Sequence, residues 1–404
     1  MSSERDVLVF SKRFAGGVDV IAEILKGMNR RPVLVSEIPG DVNAESCADH
    51  VVVDWGGDFE QFTAAIEAAG VAPTAVVNLV EPLIEWQVRA ARHYGVPGGE
   101  PGRETLLSKA SVRAKMRRLR LSDIEYTAGP VASVASEFIE EYPVIVKPAR
   151  DSGGSRLVRK ATDPAQLSAR LREIAEISCS EFEVVVEQYL DGVEFSVDGP
   201  VVDGSFRGLF VVEKTEHDER RHHDAGLRIS PPPSDHVRRG ATELAEKIST
   251  LCADLQISAG WLHVEGRVRP NGRAELVEIN PRPGGGLHRS AITRTCGVDP
   301  FRILVLMALG EPYLHELEGA ARNDELLALL PFEADQVGTL AHATPIDVIK
   351  RLPGVVDGYQ FTSFWVTSME QENFFTEALI TADTVEDLST VAKNVIAAFE
   401  FKFE

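Results

Sequence analysis

Residues 261–282, WLHVEGRVRPNGRAELVEINPR, constrain the fold more than any other stretch of this chain. Two runs of period-2 patterning, 261–268 and 274–280, flank Pro270-Asn271-Gly272. Asn-Gly between alternating runs is the strongest short signal for a β-hairpin. A two-residue turn centred on Asn271-Gly272 sets Glu265 directly opposite Glu278, and Asn280, two residues on, points to the same face. Like charges directly opposite on a sheet are destabilising, so the pattern makes sense where something cationic sits between them. Two carboxylates and one amide oxygen are hard ligands suited to Mg²⁺, which keeps several waters and shares its shell with phosphates. Pro270 cannot donate to the ladder, so the turn is imperfect. A four-residue loop with the same centre keeps the pairing, whereas a three-residue loop with a bulge shifts it by one and puts the two acids on opposite faces. The competing reading is an exposed hairpin whose acids are merely solvated.

At 404 residues the chain is long enough for several domains. Its net charge of −20 argues against nucleic acid as a partner, because phosphate backbones are bound by basic surfaces. A nucleotide needs only a local basic pocket and is not excluded. Cys47, Cys179, Cys252 and Cys296 are scattered without a Cys-x-x-Cys pair, which fits reduced thiols in a cytoplasmic protein. The start, MSSERDVLVF, lacks the basic and apolar regions of a signal peptide. Apolar runs such as 303–309 are too short to span a bilayer, so no membrane partner is expected.

Residues 1–100 alternate short apolar runs with helical patterns: strands at 6–10, 32–36, 50–53 and 75–79, helices at 18–26, 59–69 and 84–94. That alternation predicts a parallel sheet of the doubly wound, Rossmann-like type. Gly16-Gly17 follows the first strand, but the full G-x-G-x-x-G is absent and no NAD site is expected. Residues 96–103 read as a linker, which closes a first domain at 1–103. A basic helix is expected over 104–121, carrying Lys109, Arg113, Lys115, Arg117, Arg118 and Arg120. Its cations either form a solvated face or reach a phosphate.

An apolar strand over 142–147 ends in Lys147 and runs into a loop with Ser152-Gly153-Gly154-Ser155, then a further strand. This is not a Walker A loop, yet its backbone N–H groups could face phosphate oxygens. Asp163 caps a helix over 164–177 with Pro164 in its first turn. Strands follow at 183–190, 193–197 and 206–214. Glu187-Gln188-Tyr189-Leu190 combines polar groups with an apolar edge, as an adenine pocket between two lobes requires. The polar segment 215–230 holds His217, His222, His223 and Asp224 without further ligands at zinc spacing, so it reads as a substrate-binding loop. A long amphipathic helix over 236–255 leads into the hairpin. Beyond it come a helix at 299–309, apolar runs and strands near 326–331, 361–367 and 377–381, and helices at 345–352 and 384–399, the last capped by Thr384.

Lys109 with Arg113 (SKASVR), Lys147 before the small-residue loop, EQYLDGVEFSVD and HVEGRV…ELVEINPRPGGG together resemble the ATP-grasp superfamily of carboxylate–amine ligases, and within it the L-amino-acid ligases. The motifs cover residues 109–310 in the family's order, and the likeness extends loosely over the chain. The resemblance implies an α/β chain, α+β in its ATP-binding part: an ATP-grasp fold behind an N-terminal Rossmann-like domain, with a small C-terminal αβ domain, and so further domains at 104–182, 183–310 and 311–404.

It further implies ATP as cofactor, with one or two Mg²⁺ ions or Mn²⁺ in their place. Lys109 and Lys147 would hold phosphates, and Ser152, Gly153, Gly154 and Ser155 would close over them. Gln188, Tyr189 and Leu190 would meet the adenine with Glu187 beside them, and Glu194 would bind the ribose. Glu265, Glu278 and Asn280 would hold the metal. Arg282 would stabilise an acyl phosphate and the tetrahedral intermediate. His222, His223, Arg228, Arg282, Gly285 and Gly286 would shape the substrate cavity. The implied partners are a small carboxylate and an amine, and dimers are usual for such ligases, so a homodimer is expected. Carboxylases and formate-using transferases of purine type share these motifs and stay open as alternatives, as does a nucleotide-binding protein without catalysis.

Overall fold

Four short apolar strands open the chain, and their burial explains their composition. Asp6–Phe10, Arg31–Ser36, Asp49–Val52 and Pro73–Asn78 pair in parallel, with Asp6–Phe10 and Arg31–Ser36 central. Parallel strands covered on both faces read as continuous apolar runs rather than alternating ones. In this computed structural model, residues 5–12, 16–134, 141–150, 153–179, 181–218, 223–224, 226–361 and 363–404 are described. Helices Val18–Gly27 and Phe59–Ala68 connect strands, and Ile84–Tyr94 follows the last of them, closed by Gly95 at φ 68°. Gly17, at φ 86°, is the left-handed N-cap of the first helix, so the glycine pair makes a turn.

The basic stretch is two helices rather than one. Arg103–Leu106 ends before Ser108, whose side chain caps Lys109–Arg118 by accepting from the Ser111 amide at 3.2 Å. The cap ends one helix and starts the next, which the run of cations concealed. A four-stranded antiparallel sheet follows, in the order Tyr126–Pro130, Glu183–Gln188, Val144–Pro148, Arg159–Ala161. Helix Pro164–Ile177 packs beside it, and its Asp163 cap accepts from the Gln166 amide.

The main body is a nine-stranded antiparallel sheet among the described residues. Its path runs Ala274–Asn280, Ala259–Val268, Val193–Val202, Phe210–Lys214, Arg228–Ser230, Leu327–Glu333, Phe374–Thr381, Val355–Gln360. Ser205–Phe206 pairs on Val193–Val202. The strand expected over 206–214 is thus split, because the peptides at Arg207 and Leu209 turn back to bond Pro200 and Asp198. Beyond residue 311, Leu327–Glu333, Val355–Gln360 and Phe374–Thr381 continue this same sheet, while Gly338–Ala343, Trp365–Val366 and Phe401–Phe403 form a separate three-stranded one.

Helix Asp235–Asp254 lies against the sheet through Val237, Gly240, Ala241, Leu244, Ile248, Leu251 and Cys252, the i, i+3, i+4 pattern of one helical face. Each of its buried leucines and isoleucines contributes about 1.5–3 kcal/mol. Helix His288–Cys296 was not foreseen, since HRSAITRTC offers little apolar periodicity. In the C-terminal part, Val355–Gln360 forms a full strand, whereas only Trp365–Val366 pairs in the stretch expected as strand at 361–367. Phe361 and Phe364 pack against the aromatic core with Phe375 instead of alternating across a sheet.

Candidate active site

The hairpin places Glu265 opposite Glu278 and His263 opposite Asn280, though by a route other than the simplest one. The turn is the three-residue loop, Pro270 to Gly272: Arg269 N–H donates to Arg273 O, and Gly272, at φ 83°, donates to Arg269 O at 2.8 Å. From there the pairing runs Val268 with Ala274, Arg267 with Glu275 and Gly266 with Leu276, one residue off the register that brings the acids together. A bulge at Val277 then restores it, so that Glu265 meets Glu278. The carbonyl of the bulged Val277 accepts from Lys147 Nζ at 3.2 Å.

These strands line a cavity of about 430 Å³ together with the four-stranded sheet, the loop 281–287 and the strands near 359 and 374–377. At one end Lys147, the last residue but one of Val144–Pro148, is buried against Glu187 at 2.6 Å. Glu187 also takes Arg113 through two bonds of 2.7 and 3.0 Å. Burial would raise the Glu187 carboxyl, but Arg113 and Lys147 outweigh it and hold it at about 2. Burial lowers Lys147, against the pull of Glu187 and with help from Arg113. Glu187 thus serves as the shared counter-charge of two cations, one of which faces the cavity.

Gln188, Tyr189 and Leu190 line the same end. Lys160 Nζ sits 3.6 Å from the centre of the Tyr189 ring, and Arg267 donates to the Tyr189 hydroxyl at 3.1 Å. Glu194 is clasped by Lys214 at 2.6 Å and Arg267 at 2.8 Å, one cation on each oxygen. Gly154, at φ 63°, and Ser155 reach the cavity wall, and Gly154 O accepts from the Glu372 amide at 2.7 Å. Ser152 and His222 lie outside the described residues. His223 pairs through its backbone with Asp218 in a two-strand ribbon.

In the middle, Lys109 Nζ meets Glu278 at 2.6 Å, and Glu265 lies 3.6 Å from Lys214 and 3.2 Å from His263 Nε2. Asn280 and Arg282 line the wall, with Arg282 3.9 Å from Glu81 of the N-terminal domain. Behind them Asp198, fully buried, accepts from His263 Nδ1 at 2.6 Å, Gly284 N–H at 2.8 Å and Trp261 Nε1 at 3.3 Å. Burial would lower His263, but Asp198 and Glu265 outweigh it and raise the imidazole to about 9. His288, edge-on at 5.1 Å, is driven down to about 4 by burial and so donates Nδ1–H to Gly285 O. Asp198, His263 and His288 cluster closely enough to hold a metal ion. Asp198 and His263 already use the atoms such an ion would need on each other, which makes the trio a hydrogen-bonded brace.

At the other end Arg228, over the Phe374 ring, lies 3.5 Å from Glu377, and Gly285, Gly286, Tyr359 and Glu372 complete the wall. The structure therefore brings together Lys109, Lys147, Gly154, Ser155, Glu187, Gln188, Tyr189, Leu190, Glu194, Arg228, Glu265, Glu278, Asn280, Arg282, Gly285 and Gly286. Sequence reasoning missed Glu81, Lys214, His263, Arg267, Tyr359 and Glu377. His263 and Arg267 had a signal, being two residues either side of Glu265 and so on its face. Lys214 repeats the pattern of Lys147, a lysine closing an apolar strand. Nothing in the local sequence points to Glu377.

Residues 140–291 match the ATP-grasp domain family. The chain is 25% identical over 311 residues to the uncharacterized protein y4rH of Sinorhizobium fredii, an alignment covering 74% of this chain and 60% of that protein. It is 24% identical over 290 residues to the ATP-grasp enzyme fsqD of Aspergillus fumigatus, covering 62% of this chain and 49% of that one. The chain thus spans about half to three fifths of the length of these relatives. Its fold is similar to the crystal structure of L-amino acid ligase from Bacillus licheniformis, with a TM-score of 0.81 at 16% identity over 100% of both chains. Among the described residues no helix is long and apolar enough to cross a membrane. Residues 140–291 thus match the ATP-grasp domain family, within a chain whose fold is similar to that of the L-amino acid ligase structure.

Proposed function

We propose that this chain is an ADP-forming ligase that joins a carboxylic acid to an amine, with amino acids or amino-acid-like molecules as substrates. One observation carries the reading: Glu265, Glu278 and Asn280 share a single cavity with Lys109, Lys147 and Arg282. Phosphoryl transfer asks for positioning and charge neutralisation rather than a nucleophile triad. Lys109 and Glu278 neutralise each other across this cavity, as a phosphate and a metal ion would if they divided the pair between them. The donor set fits Mg²⁺: opposed carboxylates and an amide oxygen on one face, with Lys109, Lys214 and His263 supplying the positive charge the acids require. Mg²⁺ bound there would offset the charge of the phosphoryl group in transfer.

In this reading Lys147, fixed by Glu187 and the Val277 carbonyl, holds ATP phosphates together with Lys109. Gln188, Tyr189 and Leu190 border the adenine, and Glu194 with its two cations stands by the ribose. The acid's carboxylate attacks the γ-phosphate to give an acyl phosphate and ADP. The amine then displaces phosphate and leaves an amide. Arg282 stabilises the charge that develops on the acyl oxygens. Gly154, whose carbonyl accepts the Glu372 amide across the cavity, helps screen the intermediate from water. The likeness to the L-amino acid ligase fold supports amino acids as substrates.

The test is phosphate release from ATP and Mg²⁺ against amino acids offered singly and in pairs, with bicarbonate and formate as separate acids. Release that requires two amino acids, with a dipeptide of matching mass, is the expected result. Release driven only by bicarbonate or formate with an amine would replace this reading with the carboxylase or formate-transferase chemistry. Tight nucleotide binding without turnover on any substrate would leave a binding protein.

A further inference from the structure

The cavity also holds a carboxylate that the phosphoryl-transfer chemistry does not use. Glu377 stands on strand Phe374–Thr381, is 4% exposed, and borders the cavity beside Arg228, Tyr359 and Phe374. Its Oε2 accepts the Leu287 amide at 2.6 Å. Its Oε1 faces Arg228 at 3.5 Å, a distance too long for a strong charge-assisted bond. Arg228 is meanwhile drawn over the Phe374 ring at 5.0 Å. The loop is built to make room for this acid. Gly286, at φ 58°, would drive a Cβ to 2.2 Å from Glu377 Oε2, so a larger residue there would push the carboxylate out of place.

A buried carboxylate is costly unless its acceptor sites are filled by donors or a cation. Burial raises Glu377, and Arg228 and the Leu287 N–H offset that only in part. A further cation within reach of Oε1 would favour the ionised form. The wall around it is aromatic and the opening leads to the face where Arg282 and Asn280 stand.

We propose that Glu377 is the specificity-determining residue that binds the protonated amino group of the substrate held beside it in this cavity. The inference rests on the ligase reading for the identity of the occupant but is tested apart from turnover. A buried anion beside aromatic side chains selects a molecule that carries an ammonium group over its counterpart without one. A bare structural brace for residues 286–287 is the competing role.

The experiment measures binding to the full chain, with ADP and Mg²⁺ present, by calorimetry or ligand-observed NMR. The probes form two matched sets: phenylalanine, phenethylamine and 3-phenylpropionate, then alanine, ethylamine and propionate. In the wild type at least one amino acid should bind about 10-fold or more tighter than its counterpart lacking the amino group, and Glu377→Gln should erase that preference while Glu377→Asp keeps part of it. Melting of each variant is followed alongside. The inference is overturned if the wild type shows no preference for amino-bearing probes, or if Glu377→Gln keeps the preference and loses only melting temperature, as a brace would. The wild-type comparison decides even where a variant fails to fold. Failure of the ligase reading would show separately, as absence of acid- and amine-dependent phosphate release.

Discussion

Glu187 shows how much of the site rests on one side chain. Removing it by Glu187→Ala leaves Arg113 and Lys147 buried without their shared counter-charge. Breaking a buried ion network in this way costs about 3–5 kcal/mol, to be read as a fall in the denaturant midpoint. The carboxyl is held at about 2, below the ordinary value of about 4.3 for an unfolded glutamate. Its contribution to stability is therefore complete above about pH 4.3 and is lost as pH falls toward 2. Acid titration of the wild type against the Glu187→Gln variant should show that extra loss in the wild type alone. At the hairpin, Glu278→Gln should lower ADP formation by about 100-fold or more with unchanged circular dichroism; near-normal turnover would remove Glu278 from the metal set. The sequence made Glu265, Glu278 and Asn280 legible because alternation in a strand assigns faces. It assigned Glu187 to the adenine edge only by neighbourhood, since nothing local reveals that Arg113, 74 residues away, takes both of its oxygens.

The hairpin also shows what elements hide. The expected pairing of the two acids holds, yet the turn has three residues and a bulge at Val277 makes up the difference. Turn length is set by Pro270, which cannot donate, while the bulge is set by what lies behind it: Lys147 on the Val277 carbonyl and Arg113 on the Leu276 carbonyl at 2.8 Å. Such tertiary bonds are invisible to a local pattern. The long helix was legible for the opposite reason, its apolar face being continuous from Val237 to Cys252. Leu244 on that face fills the space above Gly266, where a Cβ would come within 2.5 Å of it. Leu244→Ala should cost about 2–5 kcal/mol, measured as a loss of unfolding free energy. Because the cavity it leaves lies directly beneath the acid-bearing strand, metal-dependent activity should also fall at temperatures well below melting.

Over the whole molecule, residues 154–159 and 370–372 meet beside the cavity. Gly154 O takes the Glu372 amide, and Arg159 forms an ion pair with Glu370. If this contact helps hold Gly154 and Ser155 over the cavity in the proposed ligase reaction, Arg159→Glu should raise the KM for ATP several-fold and increase ADP formed per amide made, as water reaches the acyl phosphate. Equal coupling in the variant would show that closure depends on other contacts. The doubly wound start and the ATP-grasp body were legible from alternation and motif order. The continuation of one sheet through residues 327–381 was not, because strand order is fixed by pairing between segments far apart in the chain.

That sheet has a consequence for how the cavity is dimensioned. Six steps separate Ala274–Asn280 from Phe374–Thr381 along it. Laid flat, at about 4.8 Å per step, the two strands would stand about 29 Å apart. Glu278 and Glu377 nevertheless border one space of about 430 Å³. The course of the sheet, together with the loop 281–287 that reaches Glu377, sets how far Glu265 and Glu278 stand from Glu377. A sheet knit by backbone bonds resists local stretching, so in the ligase reading the reach of a substrate from phosphoryl group to ammonium is fixed in the scaffold. Changes to loops would alter which molecules enter, and changes of twist in strands such as Leu327–Glu333, remote from every reacting atom, would alter how long those molecules have to be.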